Sequence, residues 1–552
     1  GVDGNFALSV GPAGSFGEFG SMGESVPLQS FTFDGLEAVF NGNVTAIGAV
    51  SVAGRTILAA DSVVTSTANG TVRFSGIVAG NGSESLVVNT GGSTVFGGQV
   101  SDVTSLATDA GGTTTLSGNV TTLGDQSYGD QVLLDNSVTL SGVNGSLVTV
   151  DGGEGNSLTL NFSDTATVGA GGLVGNLGSF ESLGQTVLNG TVQSSGPQTY
   201  AGLRLAGATV LTAGGVLVQG AVDGGSALTV NKAAATVFQS SIGSKTPLAS
   251  LTTDAAGSVT LTGDVTTTGN QTYGETLNLA AAVVLTGDVG YFPGVQANGN
   301  DLTLNFSSGI SLQNLAGVRN LLVEGDASLE GLIVATGSQN YATNVTLTNA
   351  ATIQANVASV AGTITGNNND LTLNIATTVT IDSDATLANL GNLTVLGAAE
   401  LNASIQTSGV QNFAGPVSLL GSTDLTGLSG LFTGGIAGNA KALTLNYSQT
   451  TTIDGTSVFS NIGDFTVLGD ANLNAAIQTT GLQRYGGATN LLGDTTLNTG
   501  GTGNVSFGGT VDGANRLDIE AGGGRIEFFG ALGGTTPLPS LNLTSASAVT
   551  AL

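Results

Sequence analysis

Residues 267 to 274 read Thr-Thr-Gly-Asn-Gln-Thr-Tyr-Gly, and the core of that stretch, Gly-x-Gln-x-aromatic, recurs along the chain. It pairs Gln126 with Tyr128, Gln198 with Tyr200, Gln271 with Tyr273, Gln339 with Tyr341, Gln411 with Phe413 and Gln483 with Tyr485. Successive glutamines are 72, 73, 68, 72 and 72 residues apart. A second pattern, Leu-x-hydrophobic-Asn, begins at Leu86, Leu158, Leu228, Leu302, Leu371 and Leu443, with a degenerate copy at Leu517. It carries Asn89, Asn161, Asn231, Asn305, Asn374 and Asn446. Two independent patterns with one period make the 552 residues a tandem array, roughly seven and a half copies of a ~72-residue unit.

Within the unit the local signal is strand. Leu302-Thr303-Leu304-Asn305-Phe306 and Thr378-Val379-Thr380-Ile381 alternate apolar and polar residues, the period of a half-buried strand. Gly, Asn, Asp and Ser fall between such segments, where turns need them. No helical periodicity persists over eleven residues or more. Propeller blades of this length would be unusual, and tandem sandwiches need a richer aromatic core than 5 % aromatics supplies. A parallel β-helix fits: a narrow solenoid with small apolar residues inside and Gly, Asn and Asp at its corners. The unit divides into about three coils of roughly 20 to 25 residues. The expectation is therefore an all-β fold, one continuous β-solenoid over residues 1 to 552, about 23 coils and roughly 110 Å long.

Composition agrees and excludes much else. Charged residues are 9 %, Gly is 89 of 552, and Cys, His and Trp are absent. Without Cys there is no disulfide scaffold or thiolate metal site. Without His the commonest general base and neutral metal ligand are gone. Ten Lys and Arg against 38 Asp and Glu, a net charge of −28, cannot neutralise a phosphate backbone, so nucleic acid is not an expected partner. The longest apolar stretches, such as 279–285, are too short to span a bilayer.

The chain begins and ends within its own repeat. Gly1-Val2-Asp3-Gly4 matches Ala221-Val222-Asp223-Gly224 and Thr510-Val511-Asp512-Gly513. Val26-Pro27-Leu28 matches Thr246-Pro247-Leu248 and Thr536-Pro537-Leu538. The expectation is a segment of a longer chain, or coil ends that pair with other copies.

The Thr-Pro-Leu-Ala-Ser-Leu segment at 246–251, the Val-Asp-Gly…Ala-Leu-Thr-Val-Asn run at 222–231 and the 267–274 stretch resemble the tandem repeats of very large bacterial surface proteins, the filamentous-haemagglutinin-like adhesins and β-strand-repeat exoproteins. The resemblance covers the whole chain, with more divergent copies between 275 and 480. It implies a right-handed parallel β-helix, export to the surface of a Gram-negative bacterium, often by two-partner secretion, and a role in adhesion, aggregation or biofilm structure. Cell-surface glycans, neighbouring repeats and further copies of the chain, joined end to end or laterally, are the implied partners.

The motifs themselves read as structural. Gly-x-Gln-x-aromatic copies lie about three coils apart, too far for glutamines to form a ligand ladder, so each reads as a turn followed by a packed aromatic. The recurrent asparagines read as corner residues bonding to backbone. The carboxylates are mostly single and read as solvated surface, with diffuse Ca2+ binding as their only implied ligand chemistry. The calcium β-roll nonapeptide is absent, its nearest piece being the isolated Gly152-Gly153-Glu154-Gly155-Asn156. Arg204, Arg319 and Arg525 show no acidic partner constellation in the sequence. A non-catalytic extracellular shaft without cofactor is the expectation. The alternatives are a self-assembling fibre subunit and a β-helical carbohydrate-active enzyme, which would need clustered carboxylates in a cleft.

Overall fold

A computed structural model describes residues 1–455, 457–544 and 546–551. All regular structure among them is β-strand, in segments of two to sixteen residues. The strands pair in parallel, each with a strand about twenty residues earlier and another about twenty residues later. The fold is a β-solenoid. The chain falls into two compact units, residues 1–277 and 278–552.

Alternation dictates the interior. In Leu302–Leu312 the side chains of Leu302, Leu304 and Phe306 are buried, while Thr303 and Asn305 face out. The core of each coil is thus a ring of Val, Leu, Ile, Ala and Phe, and parallel ladders stack it on the next. Stacking also aligns aromatics: Tyr485, Phe507 and Phe528 lie one above another with centroids 5.0 and 5.2 Å apart.

The ladders fix the coil length. In the first unit Leu106, Gln126, Gly145, Ala166, Thr186 and Leu203 occupy one line, 17 to 21 residues apart. In the second unit Gln339, Ala358, Val379, Ala399 and Val417 do the same at 18 to 21 residues. Coils near twenty residues are shorter than the sequence spacing predicts. A ~72-residue repeat therefore covers more than three of them.

The surplus has a definite size. Gln198 does not lie on the ladder of Gln126; it lies on that of Phe180, Val216 and Thr236. Thr253 and Tyr273 belong to a third line, with Val230. In the second unit Gln411 sits between Leu393 and Gly430, and Gln483 between Phe465 and Val505, again on lines separate from that of Gln339. Each repeat spans three full coils and two further faces. Three successive copies thus occupy the three faces in turn within each unit.

Candidate functional site

The recurrent glutamines are fully interior: Gln126, Gln198, Gln271, Gln339, Gln411 and Gln483 are each at most 1 % exposed. Period 2 places the aromatic two residues later inside as well. Each tyrosine hydroxyl donates to its glutamine Oε1, at 3.0 Å from Tyr128 to Gln126, 2.9 Å from Tyr200 to Gln198 and 2.7 Å from Tyr341 to Gln339. Tyr273 and Tyr485 donate likewise to Gln271 and Gln483, at 3.1 Å.

The amide nitrogen of each glutamine spans a corner. Gln126 Nε2 donates to Val120 O at 3.2 Å and to Ser141 O, one coil on, at 2.8 Å. Gln198 reaches Val192 O and Thr212 O, Gln339 reaches Ile333 O and Gln354 O, and Gln483 reaches Ile477 O and Asn498 O in the same way. These carbonyls lie where the chain turns from one face to the next. A buried carbonyl without a partner is costly, and the glutamine supplies one. Burial pushes every one of these tyrosine hydroxyls far above the ordinary range, so they remain neutral donors.

The full motif is longer than Gly-x-Gln-x-aromatic. Four residues before the glutamine, Thr122, Ser194, Thr267, Thr407 and Thr479 each donate to the carbonyl of the motif glycine. That glycine is required by close approach: a Cβ on Gly196 would lie 2.6 Å from Gly178 O, and one on Gly269 would lie 2.5 Å from Ala249 O. The Thr/Ser-x-Gly-x-Gln-x-aromatic spacing is visible in the sequence, and only the copy at Ala335 lacks the hydroxyl.

The recurrent asparagines stand at the ends of strand faces, with Asn161, Asn231 and Asn374 stacked on Ser141, Thr212 and Gln354, whose carbonyls the buried glutamines bind. Asn89, Asn161, Asn305, Asn374 and Asn446 lie within strands, and Asn231 ends one. Their side chains face outward, because a strand that buries Leu and the hydrophobic residue two places on must turn the fourth residue out. The corners are capped by other residues, placed directly before the first inward residue of a strand. Asp301 Oδ1 accepts the Asn320 N–H at 3.0 Å, and Asn320 Oδ1 accepts the Ser338 N–H at 3.1 Å. Asp370, Asn392 and Val410 form an equivalent chain at 2.7 and 2.8 Å.

The carboxylates are correspondingly less free than a solvated coat. Asp223 accepts the N–H groups of Lys245 and Thr246, and Asp512 those of Thr535 and Thr536, so the Val-Asp-Gly and Thr-Pro-Leu segments form one corner. Hydrogen bonds from Thr535 and Thr536 hold Asp512 below the usual carboxylate range. Arg319 does have an acidic partner: its guanidinium meets Asp301 at 2.6 Å and helps hold that carboxyl down to about 2. Arg55 with Glu37 and Arg516 with Asp518 are further exposed pairs, of a kind worth little to stability.

Two acids behave oppositely. Asp130, two residues after Tyr128, is 5 % exposed and accepts hydroxyls from Thr114 at 2.9 Å and Thr108 at 3.2 Å. Glu275 stands at the same place after Tyr273 and is 6 % exposed. Burial raises both, and Asp109 and Asp254, respectively, add to the effect.

Surface concavities are shallow. One groove of about 460 Å³ is lined by Asn176, Gln193, Ser195, Thr212 and Lys232. Another of about 310 Å³ lies over Ala399, Pro416, Val417 and Ile436 beside Glu400. Neither carries the facing pair of carboxylates that glycosidic chemistry uses. Among the described residues no three Asp or Glu side chains gather as a ligand set.

Comparison with known proteins brings no match: no family model fits the chain, and no curated protein and no solved structure is similar to it.

Proposed function

We propose that this chain is a shaft segment of an extracellular structural protein, displayed at the surface of a Gram-negative bacterium and acting in adhesion, aggregation or biofilm matrix. The observation that carries the reading is the fate of the repeated polar side chains. Glutamine, tyrosine, threonine and corner carboxylates, the groups from which a catalytic site would be built, are bonded within the coil or to the next one. Left outside are strand faces rich in Thr, Ser and Asn, interrupted by single charges such as Glu181 and Glu400. Such a surface suits weak contacts that sum by multivalency. The resemblance of the repeats to those of giant bacterial surface adhesins points the same way.

The test is direct. The purified chain, coated on beads, should aggregate or attach to bacterial cells in proportion to its surface density. Release of new reducing or unsaturated ends from a polysaccharide panel, abolished by a single change such as Asp223→Asn, would replace this reading by an enzymatic one.

A further inference from the structure

In an Asp-Gly step the aspartate carboxyl lies beside a following amide that no Cβ shields, so the two groups can react with each other. Stacking holds them apart at four such steps, where the glycine follows Asp3, Asp151, Asp223 or Asp512. The N–H groups of Gly4, Gly152, Gly224 and Gly513 are given to Val26 O at 3.1 Å, Gly175 O at 2.9 Å, Thr246 O at 3.3 Å and Thr536 O at 3.2 Å, each on the next coil. At Asp454-Gly455 the amide points elsewhere. Gly455 N–H donates to Asp454 Oδ1 at 2.6 Å, the carboxylate of its own neighbour. Both residues are exposed, so water reaches the pair. Asn474, on the next coil, donates its Nδ2 to the same Asp454 oxygen at 3.5 Å.

We propose that Asp454–Gly455 is a self-modification site, at which the main chain reroutes through the aspartate side chain and leaves isoaspartate. Proximity drives the step: a nucleophile held against its carboxyl in the ground state needs no costly encounter. Gly455 N bonds to Asp454 Cγ, and one carboxyl oxygen leaves as water, taking the amide proton and one proton from solvent. The product is a five-membered succinimide. Asn474 Nδ2 faces the oxygen on which charge gathers during the addition. Water then opens the ring and returns both protons. Breaking the N–Cγ bond restores aspartate. Breaking the bond from Gly455 N to the Asp454 carbonyl carbon leaves the chain running through Cβ and Cγ. No redox partner or cofactor enters, and mass and charge are unchanged.

The change falls at a corner between the strands Thr450–Ile453 and Val458–Ile462. Asp454 N–H donates to Phe432 O at 3.0 Å on the coil before, and Asp454 O accepts Ser457 N–H at 2.8 Å. Isoaspartate lengthens the main chain here by one atom and turns that accepting carbonyl into a free carboxylate. The pairing of Val458 with Ala476, beyond the step, then loosens, while that of Ile453 with Leu473, ahead of it, holds.

The test follows the intact chain through weeks in neutral buffer, with isoaspartate located by digestion and fragment-ion sequencing. It should accumulate at residue 454 roughly tenfold faster than at Asp223 or Asp512. In urea, where no amide is stacked, the three rates should converge. Asp454→Asn should rearrange at the same place with loss of ammonia, read as a gain in mass. Asp454→Glu should give no rearranged product, since its side chain would have to close a larger ring. Equal rates at 454 and 223 in the folded chain overturn the proposal. So does a difference that persists in urea, which would trace it to neighbouring sequence and leave the fold without a part in it. Folded Asp454→Asn that keeps its ammonia over the same period overturns it as well.

Discussion

Tyr447 gives its hydroxyl to Gln411 at 2.8 Å from 36 residues along the chain, and so replaces the hydroxyl that Phe413 lacks. It reaches the site over Gly430, the residue stacked on Gln411, where any Cβ would overlap the Tyr447 ring. The first unit shows the exchange in reverse. Tyr128 serves Gln126 locally, Gly145 is stacked above, and the residue over it is Phe162, with no hydroxyl to give. The interior requires one phenol per glutamine and accepts it from either coil.

Tyr447→Phe should therefore destabilise the second unit by about 1–3 kcal/mol, the cost of a buried acceptor left unpaired. Adding Phe413→Tyr should restore most of the loss. Amide hydrogen exchange at residues 405 to 432, compared across the single and double variants, checks both halves of the prediction.

Gly196→Ala drives a Cβ onto the carbonyl of Gly178 in the coil below and should lower the unfolding midpoint markedly. Gly225→Ala meets no heavy atom within 4 Å and should leave that midpoint nearly unchanged. Thermal unfolding of the two variants separates required glycines from incidental ones.

Asn320→Ala removes an acceptor from Ser338 N–H and a donor to Asp301, and should cost about 1 kcal/mol. Asn374→Ala, at an outward strand position, should be neutral within about 0.5 kcal/mol. Faster exchange of the Ser338 amide in the first variant alone would establish which asparagines cap corners.

Asp130 has a raised folded-state pKa, so the folded chain favours its protonated form. Its contribution to stability is present below the ordinary aspartate range and is lost as pH rises through the folded value. Asp130→Asn should raise the denaturation midpoint at pH 7 and leave it little changed near pH 3. Urea titrations at the two pH values supply the check.

Asp301 has the opposite sign. Its carboxyl is held at about 2, first by the Arg319 hydrogen bond, so its stabilisation is present above the ordinary range and fades as pH falls from about 4 toward 2. Asp301→Asn should flatten that acid limb of the stability curve, measured by thermal melting from pH 5 to pH 2.

Much of the fold could be read from residues alone. Leu302-Thr303-Leu304-Asn305-Phe306 announces a strand and its inner face, and the spacing of Gln126, Gln198 and Gln271 announces tandem repeats. The coil length could not be read so directly, because a sequence period reports evolutionary copying and a coil reports how many residues close one circuit. The two share no whole-number ratio here. At Asn374 the residue type alone does not separate an outward strand residue from one that caps a corner, since asparagine serves as both. Asn320, directly before inward Leu321, carries the positional signal that separates them. The inward glutamine escaped a composition argument for a similar reason: only the arrangement of Val120, Ser141 and Tyr128 around Gln126 shows that its polarity is wholly spent inside.

The mismatch between repeat and coil has a mechanical consequence. A solenoid whose repeat closed on a whole number of circuits would place every Gln–Tyr pair, every motif glycine and every exposed Leu on one side. Any small difference in rise between that side and the others would add up, copy after copy, into curvature. Shifting the motif to another side with each copy distributes any such difference over all three sides of a unit.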